Sequence, residues 1–243
     1  MQRASSKVEQ IIAQIRSLIG TQSFEGGRLP SEPSLAEMVG ASRATVRQAL
    51  AELEVEGLLI RKHGVGTFVN ERMLNIGQRL DEVWDFLEMI EVAGHTPSIE
   101  HHFLTLGPTT HELAEKLGLQ PEDEVITTAN VFLADDVPVI YCIDYLPSRL
   151  VKQAYREEEL QGPVYSFLTN RCETRIEYCI AELLPVVASD EIARLLRCDV
   201  GVPLQYVKEV GYDARDEPII YSEEYYLPEI FNFTIVRKLT SGR

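Results

Sequence analysis

No run of about eighteen apolar residues, the length needed to cross a bilayer, occurs in the sequence. "MQRASSKVEQ" at the start has no apolar core behind its basic residues, so a secretory signal is not expected and the cytosol is the expected compartment. The four cysteines, Cys142, Cys172, Cys179 and Cys198, form no C-x-x-C and have no histidine at ligand spacing. That pattern reads as reduced, mostly buried thiols rather than a disulfide frame or a zinc site. G-x-S-x-G, H-E-x-x-H, the phosphate-cradling G-x-x-x-x-G-K-[ST] and G-x-G-x-x-G are all absent. "HELAE" at 111–115 lacks a second histidine, and His95 and His111 stand alone. Adjacent His101 and His102 on a strand would point to opposite faces, so neither a metal nor a cofactor is expected.

Positive charge is also scarce: 23 Lys and Arg stand against 38 Asp and Glu, a net of −15. The deficit is not evenly spread. Residues 1–70 carry eight basic and seven acidic side chains, and the remainder carries fifteen and thirty-one. A near-neutral head on a strongly acidic body is compatible with nucleic-acid binding by the head alone, because the body would be repelled by phosphates.

The head reads as three helices and a hairpin. In "SSKVEQIIAQIRSLIG", Val8, Ile11, Ile12, Ile15, Leu18 and Ile19 recur at helical spacing, with Ser5 or Ser6 as cap and Gly20 as stop. "SEPSLAEMVG" is a short helix capped by Ser31, with Pro33 in its first turn and Gly40 closing it. A third helix starts at Ser42, packs through Val46, Ala49, Leu50 and Leu53, and ends at Gly57. Two short helices about a tight turn make a helix-turn-helix. The second begins "SRATVRQAL", which places Arg43 and Arg47 on one face with Thr45 between them. Long donors beside small residues at a helix N-terminus suit the major groove, and the positive end of the helix favours phosphate. "LLIRKHGVGTFVN" follows as strand, glycine turn and strand, a wing bearing Arg61, Lys62 and His63.

"GRLPSEPSLAEMVGASRATVRQALAELEVEGLLIRKHGVGTFV" resembles the winged helix-turn-helix domain of GntR-family transcription regulators. The L-P-S-E opening, S-R-x-T-V-R-x-A-L, L-x-x-x-G-L-[LI] and G-x-G-T-F-V carry the resemblance. It implies DNA contacts from Arg43, Thr45, Arg47 and Gly66, with His63 at the wing; Ser42, Arg61 and Lys62 complete the expected DNA-binding set. The family usually places a DNA-contacting arginine after the Ser-Glu of the second helix; here that position is Pro33.

The rest of the chain is doubled. "PVIYCIDYLP" (138–147) matches "PIIYSEEYYLP" (218–228), pairing Pro138 with Pro218, Tyr141 with Tyr221, Asp144 with Glu224 and Tyr145 with Tyr225. Upstream, a helix end, a strand and an acidic turn match at the same offset of about eighty residues. Each copy reads as a short helix ("HELAEKL", "SDEIARLL") and two antiparallel strands about an Asp-rich turn. "LDEVWDFLEMIEVAG" is expected as a helix with Leu80, Val83, Phe86, Leu87 and Ile90 inward. Between the copies, "GPVYSFLTNRC" reads as a helix and "RIEYCIAELLPVV" as a strand. The whole is thus expected to be α+β: a winged helix-turn-helix domain at 1–70, a linker at 71–80, and an antiparallel-sheet domain at 81–243.

This half is similar to the UTRA effector-sensing domain of HutC-type GntR regulators, on "FLADDVPVIYCIDYLP", "GPVYSFL" and "YDARDEPIIYSEEYYLPEIFNFTIVR". The resemblance implies a chorismate-lyase-like fold, a small-molecule pocket and a dimer contact. Sugar-phosphate-sensing relatives carry Arg-x-Arg where this chain has Asn130 and Phe132, which argues against a phosphate ligand here. The polar residues that strand alternation or position could aim at a ligand are Tyr141, Asp144, Arg175, Glu177, Tyr178, Glu182, Tyr221, Glu223 and Glu224; Tyr141 and Tyr221 fit a core position equally well. Such a set suits a cationic or polyhydroxy effector. The expected protein is a homodimeric, ligand-responsive repressor on a palindromic double-stranded operator. The competing reading is a small-molecule-converting enzyme fused to a DNA-binding head, against which the missing catalytic motifs weigh.

Overall fold

The computed structural model describes residues 7–22, 24–74, 79–81, 83–228, 230–231 and 233–237. Its internal contacts separate two units, Met1–Gly77 and Gln78–Arg243.

In the first unit, α1 (Lys7–Thr21) buries Ile11, Ile15 and Ile19, one residue per turn, while the cap expected from Ser5 or Ser6 lies outside the described residues. α2 (Glu32–Met38) starts at Ser31, whose Oγ accepts from the Ser34 amide at 3.4 Å. Pro33 sits where a missing amide costs nothing. α3 (Arg43–Val55) is capped by Ser42, whose Oγ accepts from the Thr45 amide at 3.1 Å. Val46, Ala49, Leu50 and Leu53 of α3 are each at most 1 % exposed. At about 1.5–3 kcal/mol for each large side chain, that stripe pins α3 to α1 and α2. β1 (Leu59–Lys62) and β2 (Gly66–Val69) pair antiparallel, Leu59 with Val69 through Lys62 with Gly66, making the wing. A helical turn, α4 (Glu71–Leu74), buries Met73; residues 75–78 of the expected linker lie outside the described residues.

The second unit is one six-stranded antiparallel sheet in the order β3-β4-β5-β8-β7-β6. Its elements are α5 (Phe86–Val92), β3 (Pro97–Pro108), α6 (His111–Leu117), β4 (Glu124–Ala134), β5 (Val137–Pro147), α7 (Val164–Arg171), β6 (Tyr178–Val187), α8 (Asp190–Leu196), β7 (Pro203–Tyr212) and β8 (Pro218–Tyr226). The strand order makes the duplication larger than its sequence trace. Each copy is strand, helix, strand, strand: β3-α6-β4-β5 and β6-α8-β7-β8. They meet along β5 and β8, where Tyr141 faces Tyr225 and Tyr145 faces Tyr221 about a centre at Ile143 and Glu223. A local two-fold there exchanges the copies. The acidic turn between β4 and β5 places Asp135 and Asp136 at positive φ, 49° and 65°, a region aspartate tolerates better than most side chains. Asp135 Oδ1 accepts the Thr96 amide at 2.9 Å, which locks the turn.

Two expectations need correction. The helix expected from Leu80 begins only at Phe86, because Asp85 caps it by accepting the Leu87 amide at 2.9 Å. Upstream, the Leu80 amide donates instead to the Thr234 carbonyl at 3.0 Å, and Val83 is half exposed. Strict alternation at His101 and His102 also fails, since β3 carries a bulge there: His101 faces Asn130, Phe103 faces Ala129, and His102 is skipped.

Candidate nucleic-acid interface and effector cavity

The helix-turn-helix presents its donors unevenly. Arg43 opens α3, is exposed, and has no partner among the described residues. Arg47, one turn later, is also exposed but holds Glu32 of α2 through Nε at 3.1 Å and Nη2 at 2.9 Å. Ser42 and Thr45 share a hydroxyl contact of 2.8 Å, so both hydroxyls are committed to the helix start. Arg61 ties wing to helix: its Nη2 donates to the Arg47 carbonyl at 3.3 Å, and its Nε lies 3.3 Å from Glu54 Oε2. Lys62 lies over the Phe68 ring at 4.4 Å, and His63 stands exposed at the wing tip. Gly66 has φ +139°, and a Cβ there would sit 3.0 Å from Arg28 Nε. Glycine is therefore required on backbone grounds as well as space.

In the second unit, one face of the sheet is covered by α6 and α8 and the other by α5 and α7, with a cavity of about 390 Å3 on the latter side, over β6, β7 and β8. That volume falls within the ordinary range for small-molecule sites. Its floor includes Cys179, Ala181, Val207, Glu209, Glu224 and Tyr226, and its walls include Trp84, Phe86 and Tyr165. A narrower pocket shares Phe86, Tyr165, Glu209 and Glu224 and extends to Asp144 and Ser222.

Three carboxylates thus meet in a nearly dry place. Asp144 and Glu224 are 5 % and 4 % exposed. Asp144 Oδ1 accepts from Ser222 Oγ at 2.7 Å and Cys142 Sγ at 3.5 Å; Glu209 Oε1 accepts from Cys179 Sγ at 3.6 Å; Glu224 Oε2 accepts from the Tyr226 hydroxyl. Burial pushes Asp144 up to about 6 and Glu209 up to about 7, and burial followed by the charge of Glu209 drives Glu224 well above the usual carboxylate range.

Residues 7–69 match the family "Bacterial regulatory proteins, gntR family", and residues 92–232 match the UTRA domain. The chain belongs to the GntR family and carries a UTRA domain. It is 30 % identical over 225 residues to the transcriptional repressor NagR of Bacillus subtilis, covering 92 % of this chain and 91 % of that one. It is 28 % identical over 211 residues to the histidine utilization repressor of Pseudomonas putida, covering 84 % and 83 %. Its fold is that of the possible transcriptional regulator YydK from Bacillus subtilis, with a TM-score of 0.72 at 20 % identity over 95 % of this chain and 99 % of that one. This is a GntR regulator of the HutC type, a ligand-responsive DNA-binding protein, and the enzyme reading finds no support among its relatives.

The residues singled out for a ligand divide between the faces of the UTRA sheet. Asp144, Glu177, Tyr178 and Glu224 line the cavity or its extension. Tyr178 does so at its mouth, with its ring stacked on Tyr212 at 5.0 Å. Tyr141, Glu182, Tyr221 and Glu223 lie on the opposite face, where Tyr221 and Tyr141 are buried, the Tyr221 hydroxyl donates to Glu223 at 2.9 Å, and Glu182 lines a smaller hollow beside α6. Arg175 stands in the loop before β6, 3.3 Å from Glu177, outside the cavity lining. Tyr141 and Asp144 are three apart on one strand, so they point to opposite faces. Sequence alone does not say which face holds the cavity. Glu209, Tyr165 and Trp84 were missed; Glu209 carried a usable signal, since the repeat sets it on the strand beside Ser222.

Proposed function

We propose that this GntR regulator is a homodimeric cytoplasmic repressor that reads a two-fold operator with α3 and the wing, and that an effector in the cavity above β6, β7 and β8 controls it. The DNA half of this reading is carried by Arg43, an unengaged guanidinium on the first turn of α3. A bidentate arginine contact to guanine is worth about 1–3 kcal/mol of discrimination. Arg47 would exchange Glu32 for DNA, or lie against phosphate while Glu32 fixes its direction. Ser42 and Thr45 serve the helix cap first and phosphate second; Lys62 and His63 supply backbone contacts that weaken with salt. Anisotropy of the full chain on its operator tests this. Arg43→Ala with Arg47→Ala should remove specific binding, and operator affinity retained by the double variant refutes the α3 assignment.

For the two-fold we favour the edge strand β6. Ile180, Leu183, Leu184 and Val187 are between 40 % and 65 % exposed along it. An edge of unbroken register with this many exposed apolar side chains is a template for pairing with a second copy, although Glu182 and Pro185 also lie on it. The other edge, β3, is interrupted by its bulge and carries Glu100, His101 and His102. Ile180→Lys with Val187→Lys should give monomers by light scattering, and an unchanged dimer moves the contact elsewhere. For the cavity, Ala181→Trp should leave the protein on its operator in the presence of inducer; normal release by that variant refutes the effector pocket.

A further inference from the structure

The two copies of the repeated unit make a controlled comparison of one position. Eighty residues relate Cys142 to Ser222 and Ile140 to Ile220. Their neighbours on the next strand are Asn130 and Phe132 in the first copy, Glu209 and Gly211 in the second. One strand further out stand His101 and Ile99, against Ala181 and Cys179. In the first copy the polar position is closed internally, because His101 Nδ1 and Asn130 Oδ1 lie 2.9 Å apart. In the second, an ionisable group takes the place of the amide, and an alanine takes the place of the histidine that would answer it.

Among the described residues no cation answers it, and its one side-chain donor is the weak Cys179 Sγ at 3.6 Å. None of Asp144, Glu209 and Glu224 forms an ion pair with a described residue. Arg79, the cation in the lining, is bound by Asp81, to which its Nε donates at 3.0 Å. Glu224 is 4 % exposed, yet its Oε1 receives no donor from any described residue. Trp84 lines the same cavity with its indole N–H buried and, among the described residues, without an acceptor. An ionised carboxylate taken out of water costs several kcal/mol unless an opposite charge meets it. Without ligand the cavity meets that cost by keeping its carboxyls protonated; a cation would stabilise their ionised form, which neutral hydroxyl groups would not. Aromatic residues line the space (Trp84, Phe86, Tyr165 and Tyr226), and rings are favourable partners for a desolvated cation.

We propose that the effector is a small organic cation, with an ammonium or guanidinium group held by Glu209 and Glu224 and a hydrogen-bond acceptor that takes the Trp84 N–H. Asp144, at the far end of the narrower pocket, selects for a second donor or positive centre. This rests on the reading of the cavity as the effector pocket. It sets the chain apart from ligands recognised through a phosphate, for which the β4 positions Asn130 and Phe132 offer no guanidinium.

Calorimetry and thermal shift on the full chain test it with choline, agmatine and lysine as probes, and with glucose and glucose 6-phosphate as neutral and anionic controls. At least one of the three cations should bind one per chain and raise the melting temperature. Glu209→Gln and Glu224→Gln should each weaken that binding by about tenfold or more, as loss of a charge-assisted hydrogen bond does. Binding of glucose or glucose 6-phosphate that Ala181→Trp abolishes and the Gln variants leave unchanged overturns the cation while keeping the pocket. Cation binding that survives Ala181→Trp overturns the pocket itself. No response to any of the three cations at millimolar concentration overturns the proposal outright.

Discussion

The first copy of the repeated unit is closed and the second is open, although both are built from the same strand, helix, strand, strand. Phe132 of the first copy reaches across to Phe86 at 4.7 Å between ring centroids and fills the space under α5. Its counterpart Gly211 carries no side chain, and Ile176 and Ile220 close over the place a Cβ would take. The helix ends differ in the same spirit. α6 stops at Gly118 in the left-handed region, where α8 stops at Arg197, φ 52°, whose guanidinium reaches back to Glu100 of the first copy at 2.7 Å. Duplication supplies a scaffold twice, so one copy can close its polar position with His101 on Asn130 while the other leaves Glu209 beside a cavity. A domain that buries one set of side chains for stability can leave the matching set free for recognition.

The contrast breaks most visibly at its plug. Phe132→Ala should cost about 3–5 kcal/mol of stability in chemical denaturation, the usual cost of emptying an aromatic core position. A loss near zero would mean the first copy is held by something else. The reverse experiment puts a side chain where the second copy has none. A Cβ on Gly211 would meet Ile220 Cγ2 at 2.7 Å and Ile176 at 3.2 Å. Gly211→Val should therefore destabilise by about 1–3 kcal/mol through overpacking. A neutral outcome would show that the loop at Ile176 yields freely.

Titration separates the copies more gently, because Asn130 cannot ionise and Glu209 can. Folded Glu209 and Asp144 hold their protons up to about 7 and about 6, against ordinary values near 4.5 and 3.8. Two other carboxylates, Asp135 beside His95 and Glu159 beside Arg171, are held below their ordinary values, so their stabilisation is lost only as pH falls below about 4. For the raised pair the sign is opposite. The folded state binds more protons than the unfolded one between about pH 4 and 7, so ligand-free stability falls as pH rises through that window and levels off above it. Glu209→Gln should flatten this slope and raise stability at pH 8 by about 1–3 kcal/mol. An unchanged slope in thermal melts from pH 5 to 8 would place the proton on another group.

Much of this architecture was legible in the sequence. Apolar spacing and caps located all three head helices, and the Pro-x-x-Tyr repeat located four strands of the sheet. What escaped shares a physical cause. β3 alternates poorly because its bulge shifts the pattern at His102. The stretch before Asp85 has helical spacing in sequence, but Arg79 and Leu80 make a strand-like contact with Thr234, a partner more than a hundred and fifty residues away. The same holds for the sites. Arg43 and Arg47 could be read from one helix face, yet Glu32 as the partner of Arg47 could not, because the turn between α2 and α3 sets that distance. The cavity needed a choice between two faces of one sheet, and only packing of α5 and α7 against one of them makes it.

The finest probe of the open copy is a thiol. Cys179 takes the place that Ile99 holds in the first copy, and its Sγ lies 3.6 Å from Glu209 Oε1. Burial, and then the negative charge of Glu209, push this thiol far above its ordinary range. The thiolate is the species that alkylates, so iodoacetamide at neutral pH should modify Cys179 slowly although it lines the cavity. Glu209→Gln removes the nearby charge while leaving burial as it was, and should speed modification at Cys179 severalfold, read by peptide mass spectrometry. Cys172, buried in the core and untouched by the charge of Glu209, acts as the internal reference whose rate should not move. Equal acceleration at Cys179 and Cys172 would signal general loosening of the fold. Acceleration confined to Cys179 locates the uncompensated charge on the open half of the sheet, beside the alanine that stands where the closed half has its histidine.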